Sequence, residues 1–550
     1  PGLSLRAEVS PPEQLGLYRD GEGPEPIARS GTATGAYLDQ QTAAVAYHLQ
    51  SPQRVLVLGA GTGTEVLRAR HFGADRVEAV ERNGQLVELM RGRFAAYSGH
   101  LYDRPGVRVH TAGVREFAAR HPGRYDLIQV PPLAGPGGGL YAVSETYPYT
   151  VEAFLRYLAH LQPGGTLALS HWTRLPPREV LKLFATAVRA LEAAGVAEPG
   201  RHLALIRGWQ EATLLVKKGP LTAPEVERLR AFCRDRAFDV AYYPGIEPGE
   251  ANRYNRLQRP AYYEAARALL GPEAAAFRDR YKFHIEPATD LQPYFYRFFK
   301  WSTLPEILEL RGRGGTPLLE SGYLTLAATL GQALLASAVL ILLPLAVRRG
   351  APTRRGLRGR TLLYFTAIGL GFLLVEIALL QRFLLFLGHP VYTAAVVLSG
   401  FLLFAGAGSA AAGALGRRFG ERRALAGAVA VVVALVGLYT VVLGPLFHAL
   451  AAWPAPAKAA VSVALIAPVA AAMGLPFPLA LARLSQLAPA LLPWAWAVNG
   501  CASVLSAILA ALLALHSGLD TVLWVAAGLY LLAAAGFPRF ARQGGISGPP

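Results

Sequence analysis

From Gly322 onward the chain repeats apolar runs of about 20 residues, the length an α-helix needs to cross the hydrocarbon core of a bilayer. Lipid offers the backbone no hydrogen-bond partner, so each run must satisfy its own N–H and C=O groups, as a helix does. Seven such segments are read, near 322–347, 362–387, 391–415, 424–447, 460–482, 494–516 and 519–537. The second part of the chain is therefore expected to be an all-α polytopic membrane domain, with the lipid bilayer as its partner. Pro476 and Pro478 in "MGLPFPLALARL" break the fifth segment and free carbonyls that need partners elsewhere. The small residues of "SGFLLFAGAGSAAAG" in the third allow close helix packing.

The charge divides in the same place. A net +17 could signal nucleic acid. Residues 1–321 carry 39 Lys+Arg against 34 Asp+Glu, a net of +5, while 322–550 carry 15 against 3, a net of +12. Most of the excess sits in short loops between apolar runs, the pattern of loops kept on the cytoplasmic side, and a nucleic-acid partner is not expected. The two cysteines, Cys233 and Cys501, make no disulfide framework. The chain opens on Pro1, not Met, so a fragment or processed form is expected; no signal-peptide pattern opens it.

Residues 1–50 read as short strands and a helix. Residues 51–220 alternate strand and helix: "RVLVLG", "RVEAVE", "VRVHTA", "YDLIQV" and "GGTLALS" are separated by helical stretches. That is an α/β pattern with a mostly parallel sheet, of Rossmann type. "HLALIRG" and "EATLLVKK" are close enough to pair antiparallel. Residues 221–321 read as a helical and aromatic extension, with Thr222 and Glu225 placed for a capping box. "PATDLQPYFYRFFKW" reads as a hydrophobic lid or a membrane-contacting edge.

"VLVLGAGTGTEVL" sets Gly59, Gly61 and Gly63 between a strand and a helix, with Thr62 inside the turn. Glycine turns tightly and lets a ligand approach without meeting a Cβ. The dinucleotide fingerprint wants a further glycine where this chain has Thr64, so the spacing favours a single nucleoside. Glu81 ends the next strand, where a carboxylate can accept both ribose hydroxyls.

The succession of glycine loop, Glu81, "YDLIQV", "LQPGGTL" and terminal antiparallel pair resembles the S-adenosylmethionine-dependent methyltransferase fold. Within it, "AYHL", "LYDRPGVRVHTAGVREF" and "YDLIQVPPLAGPGGGLYAVSETYPY" are similar to stretches of the spermidine-synthase branch, the polyamine aminopropyltransferases, over roughly residues 10–220. "VEIALLQRFLLFLGHP", "MGLPFPLALARL" and "PWAWAVNGCASVLSAILA" resemble bacterial inner-membrane proteins that carry a spermidine-synthase-like domain. The resemblance implies S-adenosylmethionine or its decarboxylated form as cofactor and a small amine or membrane-associated acceptor. It also implies a catalytic Asp at the tip of "YDLIQV", where this chain has Pro131, and a second acid near Ala134. The Asp expected to read the adenine amino group is Gly113. Glu145 and Tyr147, on the loop after that strand, are the remaining candidates for a catalytic acid or base, and His48, His171 and Trp172 are candidates to line the cleft.

In the membrane half Glu376 lies mid-segment, where a charge costs roughly 3 kcal/mol on insertion scales. Arg382 is six residues on, roughly 240° around the helix, so the two are expected to meet different helices. Asn499 and His516 are candidate partners. The six-arginine loop 348–360 is expected in the cytosol, which by parity sets the first half outside if 322–347 crosses. A nucleoside site that uses a cytosolic metabolite requires the inside, so 322–347 is expected not to cross fully. Two functions are carried forward: a membrane-anchored methyl or aminopropyl transferase, and a transporter or membrane scaffold whose nucleoside-binding domain has lost catalysis.

Overall fold

The computed structural model describes residues 2–19, 22–31, 35–133, 142–309, 321–347 and 355–537. Ala134, Arg348, Arg349, Arg354 and the tail arginines Arg539 and Arg542 lie outside the described residues. The chain forms two compact units, Pro1–Tyr323 and Leu324–Pro550.

The first unit opens with an antiparallel hairpin, β1 (Gln14–Arg19) and β2 (Glu22–Ala28). An eight-stranded sheet follows: β3 (Arg54–Leu58), β4 (Arg76–Glu81), β5 (Val107–Thr111), β6 (Tyr125–Val130), β7 (Leu161–Trp172), β8 (Leu203–Arg207), β9 (Glu211–Lys217) and β10 (Asp239–Tyr242). Its order across the sheet is β5-β4-β3-β6-β7-β9-β8-β10. Strands β3 to β7 are parallel to one another; β9 pairs antiparallel with β8, as the two closely spaced runs predict, and also with β7, and β10 joins the edge antiparallel to β8.

The runs of β3, β6, β8 and β9 are largely apolar because these strands are buried on both faces. Alternate residues feed two cores. Leu56, Leu58 and Ile128 pack on one side with Phe154 and Leu183; Val55, Val57 and Leu127 pack on the other with Val66 and Phe232. The unit is therefore the doubly wound, Rossmann-like sheet of methyltransferase type. The chain builds outward from β3 through β4 to β5, then returns to the opposite side of β3 for β6 and β7. That reversal opens a crevice at the carboxyl ends of β3 and β6, the usual ligand position in such sheets.

The aromatic extension differs from its expected role as a lid or lipid-facing edge. Phe283, Phe295 and Phe298 are buried inside the first unit, and Trp301 is the exposed member. The Lys182 ammonium lies 5.7 Å and 5.2 Å from the Phe295 and Phe298 ring centres and donates to the Tyr294 and Arg297 carbonyls. A cation held over aromatic faces and capped by carbonyls can be buried at modest cost, so the basic residues belong to this core. The Thr222–Glu225 pair does form: Glu225 accepts the Thr222 backbone N–H at 2.8 Å.

Among the described residues, six helices from Gly322 onward are long and apolar enough to cross a membrane. The last, Leu492–Gly536, spans 45 residues and leaves helical geometry at Gly518 (φ 81°, ψ 168°), so it comprises two arms, dividing between the apolar segments 494–516 and 519–537. Helices Pro390–Phe419 and Ala455–Gly474 meet through glycine. A Cβ on Gly408 would strike the Ala471 carbonyl, and one on Gly474 the Ala405 carbonyl. Helices Arg355–Leu387 and Leu492–Gly536 are stitched by side chains to carbonyls. Asn499 donates to Phe365 at 3.1 Å and Ser506 to Leu370 at 2.6 Å. The Tyr364 hydroxyl donates to the carbonyl of Pro476 at 2.7 Å, at the proline break.

The unit's three acids have different surroundings. Glu421 pairs with Arg483 at 3.2 Å. Asp520 pairs with Arg382, which also donates to the Tyr439 carbonyl at 2.9 Å. Glu376 is buried and has no hydrogen-bond partner among the described residues. Asn499 and His516 do not reach it: His516 bonds to the Leu512 carbonyl of its own helix. Removing Asp520, the more exposed member of its pair, strands the buried Arg382 charge, and removing Arg382 leaves a part-buried Asp520 unpaired. Arg382→Met and Asp520→Asn are therefore expected to destabilise the purified protein by roughly 2 kcal/mol, read as a lower unfolding temperature in detergent. Glu376→Gln, which breaks no pair, is expected to leave that temperature unchanged or raise it.

Candidate functional site

The turn from β3 into helix Thr64–His71 is built on left-handed backbone. Gly59, Gly61 and Gly63 have φ of 87°, 54° and 94°, a region other residues enter at a cost. The surroundings add steric limits. A Cβ on Gly59 would meet the Leu133 side chain, one on Gly61 the Glu25 carboxylate, and one on Gly63 the Leu101 side chain at 2.7 Å. The N–H groups of Gly59 and Ala60 both donate to the Val80 carbonyl at 2.9 Å, tying the turn to β4.

Four further contacts fix it. The Gly61 N–H donates to Glu81 Oε2 at 2.9 Å, and the Tyr102 hydroxyl donates to the Gly61 carbonyl at 2.5 Å. The Thr62 hydroxyl donates to the Pro26 carbonyl at 2.8 Å, which brings hairpin strand β2 against the turn. The Asn83 N–H donates to Glu81 Oε1 at 2.8 Å. Glu81, buried at the tip of β4, thus holds one backbone N–H on each oxygen. A carboxylate oxygen accepts two hydrogen bonds, so each keeps one lone pair for a ligand. Burial first, then the neighbouring Glu81 and Glu25, keep the Tyr102 phenol well above its ordinary pKa, so it stays a donor.

The sequence candidates Gly59, Gly61, Thr62, Gly63 and Glu81 therefore come together at the reversal point. Glu25, Tyr102 and Leu133 belong to the same place and were not singled out. Glu25 stands beside Gly61 and pairs with Arg19 at 3.0 Å. Below the turn runs a buried polar chain. Tyr47 donates to Gln129 Oε1 at 2.6 Å, Gln129 donates to Glu65 Oε2 at 2.8 Å, and Glu65 pairs with Arg68. It joins helix Val45–Leu49, strand β6 and helix Thr64–His71.

At the tip of β6 stands Pro131, whose side chain carries no carboxylate. The Tyr149 hydroxyl accepts the Leu133 N–H at 3.1 Å and faces the Pro131 carbonyl at 3.3 Å. Gly113 caps helix Val114–Arg120 without a side chain.

The other candidates are distributed differently. Tyr147 is buried; burial first, then Glu145, Tyr294 and Asp290, raise its pKa well above the ordinary value, which suits a packed phenol and not a base. Glu145 is half-buried beside it. His48 pairs with Asp39 at 2.6 Å, and Asp39 also binds Arg236 at 2.5 Å, a link between the N-terminal segment and helix Ala223–Arg236. His171 is buried, with Nδ1 accepting the Trp172 N–H at 2.9 Å and Nε2 3.2 Å from the Tyr296 hydroxyl. Its proton is thus on Nε2, and burial pushes its pKa down to about 3. It is a neutral core residue. Trp172 lines a separate cavity. Among the described residues no cluster of His, Cys, Asp and Glu could hold a metal.

No known protein family matches the chain, and no curated protein matches it. Solved structures do. Spermidine synthase from Thermotoga maritima is 14% identical, over 44% of this chain and 73% of that one, with a TM-score of 0.27. A probable spermidine synthase from Corynebacterium glutamicum is 21% identical, over 36% and 67%, at 0.26. Human methyltransferase-like protein 13, solved in complex with SAH, is 19% identical, over 37% and 89%, also at 0.26. Likenesses at this level speak only to fold, and the strand order already establishes that.

Proposed function

We propose that the first unit binds a cationic nucleoside, S-adenosylmethionine or its decarboxylated form, and that the chain is a membrane-anchored transferase acting on a small amine or membrane-associated acceptor. The observation that carries this is Glu81, oriented by two backbone N–H groups with a lone pair left on each oxygen, beside three left-handed glycines at the strand reversal. The site residues fit such a ligand. Glu81 flanks the turn and suits the positive charge of a sulfonium or amine, while Glu25 beside Gly61 is already paired with Arg19. When bound, the nucleoside would supply the methyl or aminopropyl group. The chain's own residues would hold the ribose at Glu81, with the Leu133 and Glu25 side chains standing over Gly59 and Gly61 beside it.

Aminopropyl transfer with the usual base is not part of the proposal, because a proline ring accepts no proton and Pro131 holds the strand tip. The same tip supports a second reading, a scaffold or transporter whose first unit binds the nucleoside without turnover. Leu133, whose N–H Tyr149 accepts, seats its alkyl side chain against Gly59, two residues from the Pro131 position where the resemblance expects a proton acceptor.

Isothermal titration of the full chain in detergent with both nucleosides tests the binding. Each hydrogen bond to a charged acceptor contributes about 1.5–3 kcal/mol, so Glu81→Ala is expected to weaken binding by at least roughly tenfold per lost bond. Unchanged affinity removes Glu81 from the site. Incubation with putrescine and decarboxylated S-adenosylmethionine is expected to yield little or no spermidine; robust conversion would require another base, Glu145 first.

The proposal sets the first unit in the cytosol, where the nucleoside is made. Against it stands Gly322–Val347, a helix of 26 residues, long enough to cross by itself. Single-cysteine labelling with a membrane-impermeant reagent in intact cells decides. A cysteine at Gly219 is expected to be protected, as are sites at Arg355–Arg360. Ready labelling at Gly219 with protection at the arginine loop would place the unit outside and remove the transferase reading.

A further inference from the structure

Three helices of the second unit, Pro390–Phe419, Glu421–Ala449 and Ala455–Gly474, border a groove. The first and third meet at Gly408 and Ala471 with no room for a Cβ between them. Beside that contact the middle helix leaves a cavity of about 630 Å³. It runs along the first helix from Ala407 to Phe419 and along the middle one from Val431 back to Arg423. Ala407 to Phe419 is about 18 Å of helix, roughly the depth of one leaflet in a hydrocarbon core about 30 Å thick. Among the described residues its walls are alanine, glycine, leucine and valine, with Phe419 and Arg423 at one end. Such walls give a polar solute no partner and suit a hydrocarbon chain.

The end at Arg423 is cationic. Arg418 falls seven residues after Ala411, which lines the groove, so it lies on the same helix face. Its guanidinium carbon sits 5.2 Å from the ring centre of Phe419. Arg418 and Arg423 are exposed, and neither has an ion-pair or hydrogen-bond partner among the described residues. The turn between the two helices gathers Arg417, Arg418, Arg422 and Arg423 against one acid, Glu421, and that carboxylate is given to Arg483 at 3.2 Å.

The chain itself has little with which to neutralise this mouth. The other acids after Gly322 are Glu376, in mid-segment, and Asp520, paired with Arg382. A helix from a second copy would bring apolar surface to the groove but no free carboxylate to its mouth. A phospholipid brings both an acyl chain of one leaflet's length and a phosphate, which guanidinium groups bind by charge-assisted hydrogen bonds. Because Glu421 is already engaged, no acid is left to take the ammonium of a zwitterionic headgroup, so a net negative lipid is favoured.

We propose that this groove holds one anionic phospholipid, with an acyl chain along Ala411, Gly427 and Val431 and its phosphate at Arg418 and Arg423. The proposal rests on the second unit spanning a bilayer, and it stands whether or not the glycine turn of the first unit takes a nucleoside.

The test uses the full chain, purified in detergent and stripped of co-purified lipid. It is mixed with palmitoyl-oleoyl phosphatidylglycerol or phosphatidylcholine, and bound lipid is counted by native mass spectrometry. One phosphatidylglycerol per chain is expected to be held, and phosphatidylcholine more weakly by roughly tenfold or more. Arg418→Gln combined with Arg423→Gln is expected to erase that preference. A Cβ on Gly427 would meet nothing within 4 Å, so Gly427→Leu can fill the groove from open space. It is expected to abolish phosphatidylglycerol retention while the unfolding temperature stays unchanged or rises, since glycine inside a helix costs stability. Equal retention of the two lipids overturns the proposal, as does phosphatidylglycerol binding indifferent to the arginine or the Gly427 variant. A lipid-free dimer that Gly427→Leu dissociates identifies a helix contact between copies and overturns it too. Displacement of the lipid by glycerol phosphate alone identifies a site for soluble phosphate and has the same consequence. A chain that stays monodisperse without detergent removes the bilayer reading, and this proposal with it.

Discussion

The first unit depends on one backbone constraint, the left-handed turn that carries the chain from β3 into its helix. β3 is the strand from which the sheet grows in both directions, so the turn must end at the bottom of a crevice and still connect to a buried helix. Side chains at Gly59, Gly61 and Gly63 would collide with Leu133, Glu25 and Leu101. The turn is held by β4 through Val80 and Glu81, by β2 through Pro26, and by Tyr102. The rim acid Glu81 is therefore both a structural partner of the turn and the group best placed to meet a ligand.

Much of this was legible in the sequence because the controlling physics is local or periodic. Strands buried on both faces must be largely apolar, so β3 and β6 are visible as runs. Left-handed turns favour glycine, and a carboxylate closing a strand is conspicuous. Side-chain partners far apart in sequence were hidden. Tyr47 meets Gln129 across 82 residues, and Arg382 meets Asp520 across 138; neither spacing carries a periodic signal. The aromatic segment near Phe295 misled because aromatic and basic residues together mark a lipid interface as readily as a core in which cations stack on rings. His171 shows the same limit: a histidine at a strand end looked available and is buried.

The tip of β6 is where the chain departs from the chemistry its fold suggests. Pro131 offers no side-chain acceptor, and Tyr149 bonds the backbone on both sides of Pro132. A ligand over Gly59 would meet Leu133 at this edge. Removing a carboxylate from such a position lowers the attraction for a cationic acceptor and removes a proton acceptor in one change. The glycine turn on one side of the reversal and Pro131 on the other make ligand binding and catalysis separate physical questions.

The central claim, that the glycine turn and Glu81 hold a sulfonium nucleoside, is tested most directly by hydrogen exchange on the full chain with and without saturating S-adenosylmethionine. Peptides covering Gly59–Gly63 and Glu81–Asn83 are expected to slow by tenfold or more, since their amides frame the proposed ligand. Unchanged exchange in both peptides at saturation, or slowing confined to other parts of the sheet, would contradict the account.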